Sequence, residues 1–469
     1  MFVLKNAIKI LQNKIIDAHP EQMRVTVDLK LQTPVHLIEW LGEQVLYPQF
    51  YWQSRGGEEE VVALGQHAHF TDATTAKGCL GPQQRIWGGR PFQCQPNAKA
   101  TSTKSDVTAA YYFLPQIELI CTHEQWQLAV NLNTVGSTAT VHTDLLQSLN
   151  ALVIDCPVRT AEPCYIQSRV HSPDLSQWSG LVNKALTAIE QQQFAKVVLA
   201  RQTTLTLSQP LSAARFLQQS RQLNQQCFHF MFALNKHDYF IGSTPERLYA
   251  RTDSILDTEA LAGTAARGLD VATDAALADW LLHDEKNRYE NRLVVDDLVS
   301  RLKSRCVSLR VSALPELVKL RKVQHLKHLI MGQLKADVDD AELLDSLQPS
   351  AAIAGLPREQ ALAFIADNEP FSREWYSGAL GYLGQQQSEF CVAIRSARVL
   401  SHELQLFAGA GIVPGSTALS EWQELDRKTA TLLSLIEPDT GVINPSGVVI
   451  KPNSVVIKHR NFATEQQRA

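Results

Sequence analysis

Short connections between strand-like segments constrain the fold of this chain more than any other feature of its sequence. The apolar segments CFHFMFAL and DYFIGS are separated by only three residues, 235–237. Three further strand patterns, GALGYLG, EFCVAIRSARVL and LQLFAGAGIV, also follow one another at short spacing. Because parallel strands need a crossover of a dozen residues or more, such spacing predicts antiparallel hairpins.

Helical and strand patterns alternate irregularly along the rest of the chain, which favours an α+β fold over a doubly wound sheet. Seven segments are predicted to be helices: residues 1–20, 174–193, 210–224, 274–304, 338–347, 357–366 and 418–436. Residues 24–160 are rich in strand patterns such as MRVTVDL, VLYPQFYW, YYFLPQIELIC and WQLAVNL. The Gly- and Pro-rich stretch GCLGPQQRIWGGRPF is expected to be a loop or an edge of a sheet.

Composition argues against several classes of function. The 469 residues carry 44 basic and 48 acidic side chains, and the net charge of −4 is too balanced to indicate nucleic-acid binding or membrane adsorption. The sequence has no run of about 18 apolar residues that would span a membrane. Eight scattered cysteines without a CxxC pair are typical of a reducing compartment. We therefore expect a cytoplasmic protein.

Lys196 is a lone cation within the apolar strand pattern FAKVVLARQTTLTL. On a strand, Lys196 and Val198 share one face of the sheet, and Val197 lies on the other. Buried lysines are rare, and desolvation lowers the pKa of an ammonium group, so an inward-facing Lys196 would suit a general base. The alternative is a lysine on an edge strand that points into water.

Glu246 follows a Ser-Thr-Pro turn in GSTPERLYAR. It is either a carboxylate of a functional site or a surface residue paired with Arg247 or Arg251. Two glycine-containing stretches, LAGTAARG (261–268) and FAGAGIVPG (407–415), place backbone N–H groups where a small anion could approach. Neither matches a nucleotide-binding fingerprint, and glycine-rich stretches often only form turns.

Three more carboxylates lie on predicted helices: Glu290 in EKNRYENRLVV, and Glu421 with Glu424 in SEWQELDRK. Glu421 and Glu424 are three residues apart, and Lys428 is four beyond Glu424, so neighbouring members share a helix face. Carboxylates from two helices suit Mg²⁺, with open positions for water and a substrate carboxylate. A solvated, charged helix face is the alternative.

Taken in chain order, these segments resemble the chorismate-utilising enzymes, the family of anthranilate, aminodeoxychorismate, salicylate and isochorismate synthases. The similarity extends over residues 180–437 through FAKVVLAR, GSTPERL, TEALAGTAARG, EKNRYENRLVV, AAIAGLPR, WYSGALGYLG, FCVAIRSARV, FAGAGIVPGS and EWQELDRK. FYWQSRGG and RIWGGRPF look like the menaquinone-pathway isochorismate synthases in particular. The resemblance implies two facing antiparallel β-sheets with helices packed outside. It divides the chain into a β-rich part (1–165), a catalytic region (166–440) and a tail (441–469).

The resemblance also implies catalytic and metal-binding roles. Lys196 matches the general base that activates water for attack at C2 of chorismate, and Glu246 matches the general acid that protonates the departing C4 hydroxyl. Because water is a weak nucleophile and hydroxide a poor leaving group, each end of the reaction needs a proton partner. Glu290 and Glu424 match Mg²⁺ ligands, and Glu421 matches a residue near the metal.

Eight further positions match substrate-binding residues. Arg395 and Tyr376 match the pair that grips the enolpyruvyl carboxylate, since an arginine fork fits a carboxylate in two-point contact. Further carboxylate contacts correspond to Lys428 and the backbone amides around Gly409 and Gly411. The other three matches are Gly263 and Thr264, which lie in the motif next to the attack site, and Ala352.

Local residues separate this chain from its siblings in the family. Lys196 stands where the anthranilate enzymes have a non-basic residue, and LAGT replaces the PIKGT of the aminodeoxychorismate group, so water is the predicted nucleophile. Ala352 stands where salicylate synthases have threonine. Gln348 departs from the histidine usual in isochorismate synthases, which affects the expected local positioning.

These features predict an Mg²⁺-dependent isochorismate synthase. A salicylate synthase and a catalytically silent homologue that acts as a binding subunit are the alternatives. The predicted partner is the small molecule chorismate, without nucleic acid, membrane or a glutaminase subunit. We expect a monomer or a weak dimer.

Overall fold

The computed structural model describes residues 2–19, 21–30, 36–93, 109–132, 138–154 and 164–437, together with 442–443 and 449–450. Most of the predicted tail over 441–469 lies outside the described residues. None of the helices in the described ranges combines the length and the apolar character needed to cross a membrane.

Six of the seven predicted helices are present within a few residues of their predicted bounds, whereas the three helices described within residues 24–160 were not predicted. In chain order the described helices are α1 (Phe2–Ile16), α2 (Leu37–Gly42), α3 (Ala73–Gly78), α4 (Thr138–Asn150), α5 (Leu175–Glu190), α6 (Ala213–Leu223), α7 (Val271–His283), α8 (Glu285–Lys303), α9 (Asp340–Leu347), α10 (Arg358–Asn368) and α11 (Ala418–Leu433).

The prediction of one long helix over 274–304 is wrong, because Asp284 separates α7 from α8. Asp284 has an extended backbone, with φ −67° and ψ 119°, and its side chain accepts a hydrogen bond from the Asn287 N–H. An aspartate in this conformation satisfies a free N–H group at a helix start. The apolar spacing continues through this break, so periodicity alone did not indicate it.

The strands are more numerous than the sequence patterns indicated. In chain order they are β1 (Arg24–Leu29), β2 (Gln49–Gln53), β3 (Glu59–Leu64), β4 (Ala68–Phe70), β5 (Arg85–Arg90), β6 (Tyr111–Leu114), β7 (Ile117–Thr122), β8 (Gln125–Asn131), β9 (Ile166–Ser172), β10 (Lys196–Leu207), β11 (Phe228–Asn235), β12 (Asp238–Thr244), β13 (Arg247–Thr252), β14 (Ile255–Ala266), β15 (Cys306–Val311), β16 (Glu316–Lys319), β17 (Val323–Leu334), β18 (Gly355–Leu356), β19 (Ala379–Gly384), β20 (Gln387–Val392), β21 (Ser396–Leu400), β22 (Glu403–Ile412), β23 (Val442–Ile443) and β24 (Val449–Ile450).

Two large antiparallel sheets contain nearly all of these strands. The first has the order β1-β8-β7-β3-β2-β11-β12-β21-β22-β10-β18, with β9 also paired to β10. The second has the order β15-β17-β14-β13-β20-β19-β5-β6-β4, with β16 also paired to β17. Strands from both sides of the predicted boundary at residue 165 enter both sheets, and the division into parts stays a prediction.

An aromatic layer fills the space between the two sheets. Phe50 on β2 lies 5.4 Å from Trp87 on β5, measured between ring centroids, and Trp52 lies 6.4 Å from Tyr382 on β19. These side chains belong to one buried cluster with residues of both sheets. The sheets therefore face each other, as the resemblance implied.

The helices cover the outer faces. Met231 on β11 points away from the aromatic layer into a second core with α1, α2, α4 and α6, as expected from strand alternation. A third core joins the other ends of the sheets to α5, α8, α9, α10 and α11. This last core carries the two helices on which the predicted metal ligands lie.

The expectation that GCLGPQQRIWGGRPF forms a loop or an edge is wrong for its second half. β5 lies inside the second sheet, between β19 and β6, and Trp87 is fully buried. A Cβ atom on Gly88 would lie 2.0 Å from the Tyr111 carbonyl oxygen, and one on Gly89 would lie 1.8 Å from that of Ala379. The two glycines therefore permit close approach of the neighbouring strands, not a turn.

Candidate active site

Helix α8 is fixed to the second sheet at a bulge in β14. The register between β14 and β17 shifts at Gly263, whose φ of +82° is a conformation that favours glycine. The Thr264 N–H donates to Asn287 Oδ1 at 2.9 Å, and Asn291 Nδ2 donates to the Ala262 carbonyl at 3.1 Å. The two asparagines are four residues apart and orient the same turn of α8, which carries Glu290.

Lys196 and Glu290 meet where β10 passes α8. Lys196 is fully buried, and its Nζ lies 2.9 Å from Glu290 Oε1. The contact is an ion pair without hydrogen-bond alignment, since Nζ has no hydrogen-bond partner in the described residues. A Cβ atom on Gly411 would lie 2.3 Å from Glu290 Oε1 and 2.9 Å from Lys196 Cε. The water-facing alternative for Lys196 is therefore wrong, and Gly411 makes room for the pair.

A cavity opens above this ion pair, between the two sheets. Ten of the predicted site residues line it: Glu246, Gly263, Thr264, Glu290, Ala352, Tyr376, Arg395, Gly409, Gly411 and Lys428. Lys196 lies directly behind Glu290 and Gly411, outside the lining. Glu421 and Glu424 are also outside the lining. The structure thus brings most residues of the predicted site to one cleft.

Glu246 is a buried carboxyl group on the cavity wall. It is 4% exposed, and burial followed by the neighbouring charge of Glu259 raises its pKa to about 8. The nearby cations Lys196, Lys428 and Arg395 act in the opposite direction without cancelling this shift. Glu246 is therefore mostly protonated at neutral pH, which suits a general acid.

Neither of the two arginines proposed as surface partners of Glu246 pairs with it. Arg247 forms an ion pair with Glu389, and Arg251 forms one with Asp340. The surface alternative for Glu246 is therefore wrong. The position of Glu246 is supported from the other half of the chain, because Arg55 Nη1 donates to the Pro245 carbonyl at 2.9 Å and to Glu259 Oε1 at 2.6 Å.

Arg395 presents an unpaired N–H group at the cavity. Its backbone has φ = +50°, an uncommon conformation for a bulky residue, and it is only 7% exposed. Nη2 donates to His325 Nε2 at 2.9 Å, whereas Nη1 has no hydrogen-bond partner in the described residues. A buried guanidinium with a free donor is suited to an anionic ligand such as a carboxylate.

His325 on β17 was not predicted from the sequence, although it lines the cavity. Burial and the neighbouring Arg395 keep its pKa well below the usual range, so the ring is neutral. Nε2 must then accept from Arg395, and Nδ1–H faces Thr264 Oγ1 at 3.1 Å. A histidine within a strand pattern, followed by a second histidine three residues later, was the only available signal. Its partners come from β14 and the β20–β21 connection, which spacing along the chain does not indicate.

Tyr376 and Gly409 lie against each other on the cavity wall. The Tyr376 ring stacks on Phe407 with centroids 5.1 Å apart, and a Cβ atom on Gly409 would lie 2.9 Å from the Tyr376 hydroxyl oxygen. Burial raises the pKa of this hydroxyl, which therefore stays protonated and can donate. Lys428 Nζ donates to the Gly409 carbonyl at 2.8 Å and holds this stretch of β22 in place.

The backbone of Gly409 and Gly411 is open on the side away from β10. Val198 and Ala200 oppose these glycines in the register, and their own N–H groups bond on the far side of β10, to the Ala354 carbonyl and Glu369 Oε1. Opposed residues in an antiparallel pair that do not bond each other point their backbone groups outward. β21 pairs only with Glu403–Leu406, so it does not cover this side. The amides near these glycines are thus available to a ligand.

The three predicted metal-site carboxylates each face a lysine. Glu290 pairs with Lys196, Glu424 Oε1 lies 2.6 Å from Lys428 Nζ, and Glu421 Oε1 lies 2.7 Å from Lys286 Nζ. Across the described ranges, no three His, Cys, Asp or Glu side chains converge tightly enough to surround one ion. A lysine therefore lies against Oε1 of each carboxylate that was predicted to be at or near the metal.

The charges of these carboxylates nevertheless act on one another. Burial, followed by the charge of Glu424, raises the pKa of Glu421. Burial opposes ionisation of Glu424 as well, but Lys428 outweighs it and lowers the pKa. Lys286 is influenced by all three carboxylates, Glu421 most strongly after burial, and its pKa is raised. Of the three carboxylates, Lys286 contacts only Glu421 directly, and Glu290 and Glu424 act on it through their charges. The donor set fits Mg²⁺ chemically.

Gln348 lies away from the cavity. Its side chain is buried and donates from Nε2 to the Pro91 carbonyl at 2.9 Å, and its own carbonyl accepts from Arg358. The segment that follows reaches the cavity at Ala352. The departure from the usual histidine therefore affects the packing of this segment against Pro91, not the cavity wall.

Comparison with known proteins identifies the family to which this chain belongs. A model of the family described as "Chorismate binding enzyme" matches residues 72–437, most of the chain. The chain belongs to the chorismate-binding enzymes. This membership confirms the family that the ordered sequence motifs indicated.

Several chorismate-binding enzymes are similar over nearly their full length. Isochorismate synthase MenF of Escherichia coli (strain K12) is 38% identical over 441 residues, which are 92% of this chain and 98% of that protein. Isochorismate synthase MenF of Haemophilus influenzae is 38% identical over 405 residues, 86% of this chain and 89% of that protein. The solved structure of the menaquinone-specific isochorismate synthase MenF from Escherichia coli superposes with a TM-score of 0.84 at 37% identity, covering 92% of this chain and all of that one.

Proposed function

We propose that this protein is an isochorismate synthase, which converts chorismate to isochorismate by adding water at C2 and releasing the C4 hydroxyl. One observation carries the proposal: a carboxyl group with a pKa of about 8 lines the cavity, and a fully buried lysine lies behind the same cavity wall. The near full-length similarity to isochorismate synthases supports the same reaction.

Lys196 is the general base of the proposed mechanism. In its neutral form, Nζ takes a proton from a water molecule in the cavity, and the resulting oxygen attacks C2 of chorismate. Glu290 lies 2.9 Å from Nζ and stabilises the ammonium that forms. The burial of Lys196 keeps bulk water away, so proton transfer is confined to the attacking molecule.

Glu246 is the general acid. Because its pKa of about 8 leaves it protonated at neutral pH, it can donate a proton to the C4 hydroxyl as that group departs as water. The ring double bonds shift as the new C2–O bond forms and the C4–O bond breaks. One proton is taken up by Lys196 and one is given by Glu246, so the overall reaction is an isomerisation.

The substrate carboxylates would be held by the cationic wall of the cavity. The unpaired Nη1 of Arg395 and the Tyr376 hydroxyl are suited to the enolpyruvyl carboxylate. The open backbone of Gly409 and Gly411, with Lys428 beside it, offers further donors. These contacts hold the ring between base and acid, and such orientation is a large part of catalysis.

Mg²⁺ is part of the proposal, with Glu290 and Glu424 as ligands and Glu421 close by. Bound there, it would neutralise the ring carboxylate and draw off charge as the double bonds shift. The support is the donor chemistry of the three carboxylates and their shared influence on the Lys286 ammonium.

A salicylate synthase is the alternative that shares this machinery, because it adds elimination of pyruvate to the same first step. A silent binding subunit is disfavoured, since it has no need of a buried lysine beside a protonated glutamate. Cytoplasmic location, the absence of a glutaminase partner and a monomeric or weakly dimeric state stay predictions of the sequence. A role in menaquinone synthesis is proposed from the named relatives.

The proposal is tested by incubating the purified protein with chorismate and Mg²⁺, with and without ammonia, and separating the products by chromatography. Isochorismate alone, unaffected by ammonia and lost on chelation, is the expected result. Formation of salicylate and pyruvate would show instead that the protein is a salicylate synthase. An ammonia-dependent aminated product, or no consumption of chorismate, would contradict the proposal.

A further inference from the structure

We infer that Arg373 and Glu369 form a positioning pair that takes the place of a missing strand beside the catalytic strand β10. This inference rests on the proposed function, because the geometry that the pair fixes is that of the proposed base. Neither residue lines the cavity, and neither was predicted from the sequence.

The edge of β10 changes partner close to Lys196. β18 is only two residues long and pairs with Lys196 and Val197. Beyond it, the Val198 N–H still bonds to the Ala354 carbonyl, but the Ala200 N–H bonds to the side chain of Glu369 at 2.8 Å. A side-chain carboxylate thus replaces the strand carbonyl that would satisfy this amide.

Arg373 supplies the matching donors. Its Nη2 donates to the Val198 carbonyl at 2.7 Å, and its Nε donates to Glu369 Oε2 at 2.8 Å. The side chains of both residues are 2% exposed. The pair therefore satisfies one carbonyl and one amide of β10, two and four residues beyond Lys196, as a paired strand would.

The same guanidinium reaches two other parts of the site. Arg373 Nη1 donates to the Ile353 carbonyl at 3.1 Å, next to Ala352, and the guanidinium carbon lies 6.0 Å from the centroid of the Tyr376 ring. The guanidinium also packs 4.3 Å above the Phe92 ring. One arginine thus fixes the backbone that carries the base, the segment that carries Ala352 and the turn that carries Tyr376.

A pair that only stabilised the fold would be expected to lie anywhere in the core. This pair instead contacts three separate segments that each supply a cavity residue. Displacing a catalytic group by about 1 Å can cost on the order of 100-fold in rate. Loss of the Arg373 side chain should therefore lower kcat even when the variant remains fully folded.

The test compares Arg373→Met and Arg373→Lys with Arg251→Met, once the wild type has been shown to form isochorismate. Arg251 is a matched control, because it forms a buried ion pair with Asp340 and lies outside the cavity lining. All proteins are assayed at a temperature at which melting curves show them folded. We expect kcat to fall about 100-fold in Arg373→Met and less in Arg373→Lys, while Arg251→Met stays within about twofold of the wild type.

A second measurement does not depend on activity. Glu369→Ala removes the acceptor of the Ala200 N–H, so hydrogen exchange in peptides covering residues 198–200 should become faster, whereas Glu369→Gln should keep most of the protection. Unchanged exchange in Glu369→Ala, or equal kcat losses in Arg373→Met and Arg251→Met, would overturn the inference. If Arg373→Met does not fold, Arg373→Lys and the two Glu369 variants carry the test. If the wild type had no isochorismate synthase activity, the proposed function would be refuted instead. The exchange measurement would still test whether Glu369 protects the Ala200 N–H, because it does not depend on activity.

Discussion

Gly411 faces Glu290 so closely that a single added methyl group would touch the carboxylate. A Cβ atom on Gly411 would lie 2.3 Å from Glu290 Oε1, well inside van der Waals contact. Glu290 also lies 2.9 Å from Lys196 Nζ. The absence of a side chain at Gly411 therefore allows the proposed base and its counter-ion to occupy these positions.

Gly411→Ala should therefore reduce turnover on the order of 100-fold by displacing Glu290 from Lys196. Gly180→Ala is the matched control, since a Cβ atom there meets no atom within 4 Å and alanine favours the helix α5 that contains it. Steady-state kinetics and melting temperatures of both variants provide the measurement. Equal activities in the two variants would show that the space at Gly411 is not required.

Lys196→Ala should abolish turnover while chorismate still binds, because the residue lies behind the cavity wall and not in its lining. General bases typically contribute 10²- to 10⁴-fold, so a loss of about that size is expected. Lys184→Ala, at an exposed position of α5, is the control. Calorimetric binding of chorismate and product formation are measured together. Near-normal turnover in Lys196→Ala would refute the assigned base.

Activity should depend on pH through Glu246, since the acid form is required and its pKa is about 8. We expect kcat to fall as the pH rises above about 8. Glu246→Gln should lose C4 hydroxyl departure at every pH, while Glu190→Gln, an exposed carboxylate at the end of α5, should behave as the wild type. Normal activity of Glu246→Gln would contradict the acid role.

The same residue links stability to pH. Its folded pKa of about 8 is raised above the ordinary value of 4.5, so its contribution to stability is fully present below pH 4.5. It is lost as the pH rises to about 8, because the folded state then holds a proton that the unfolded state has released. The melting temperature of the wild type should therefore fall relative to Glu246→Gln between these pH values. A constant difference across the range would argue against the raised pKa.

Lys286→Met should bind Mg²⁺ more tightly, because the Lys286 ammonium competes for Glu421 from 2.7 Å away. A charge-assisted hydrogen bond of this kind corresponds to a change of about tenfold in the dissociation constant. Lys303→Met, at an exposed position near the end of the same helix, is the control. Calorimetric titration with Mg²⁺ measures the effect without turnover. Unchanged or weaker binding in Lys286→Met would show that the lysine does not compete with the metal.

The sequence predicted the elements of this fold better than their arrangement. Helix periodicity located α5, α6 and α11 within a few residues, because their apolar faces repeat every three or four positions. β5 was missed because its glycines are there for the close approach of Tyr111 and Ala379, two residues that are distant in sequence. The composition of a segment indicates its local conformational preference. Which strands it pairs with depends on residues that are distant in sequence.

The candidate site shows the same distinction. Lys196 was recognisable as a cation in an apolar strand, and the structure resolves the two alternatives for it in favour of burial. The pairing of Glu421 with Lys286 was not recognisable, because it joins two helices 135 residues apart in sequence. The environment of Glu246 likewise depends on Arg55, in the turn after β2, and on Glu259, on β14. Residue types are visible in a sequence, but the charges around them require the fold.

The pairing of β2 with β11 has a consequence for any shortened form of this protein. His229–Ala233 on β11 bond to Gln49–Gln53, which lie before the predicted boundary at residue 165. A fragment that began at residue 166 would keep the whole of the proposed catalytic machinery but expose the apolar edge of β11. Such an open strand pairs readily with copies of itself, so the fragment should aggregate even though no active-site residue has been removed.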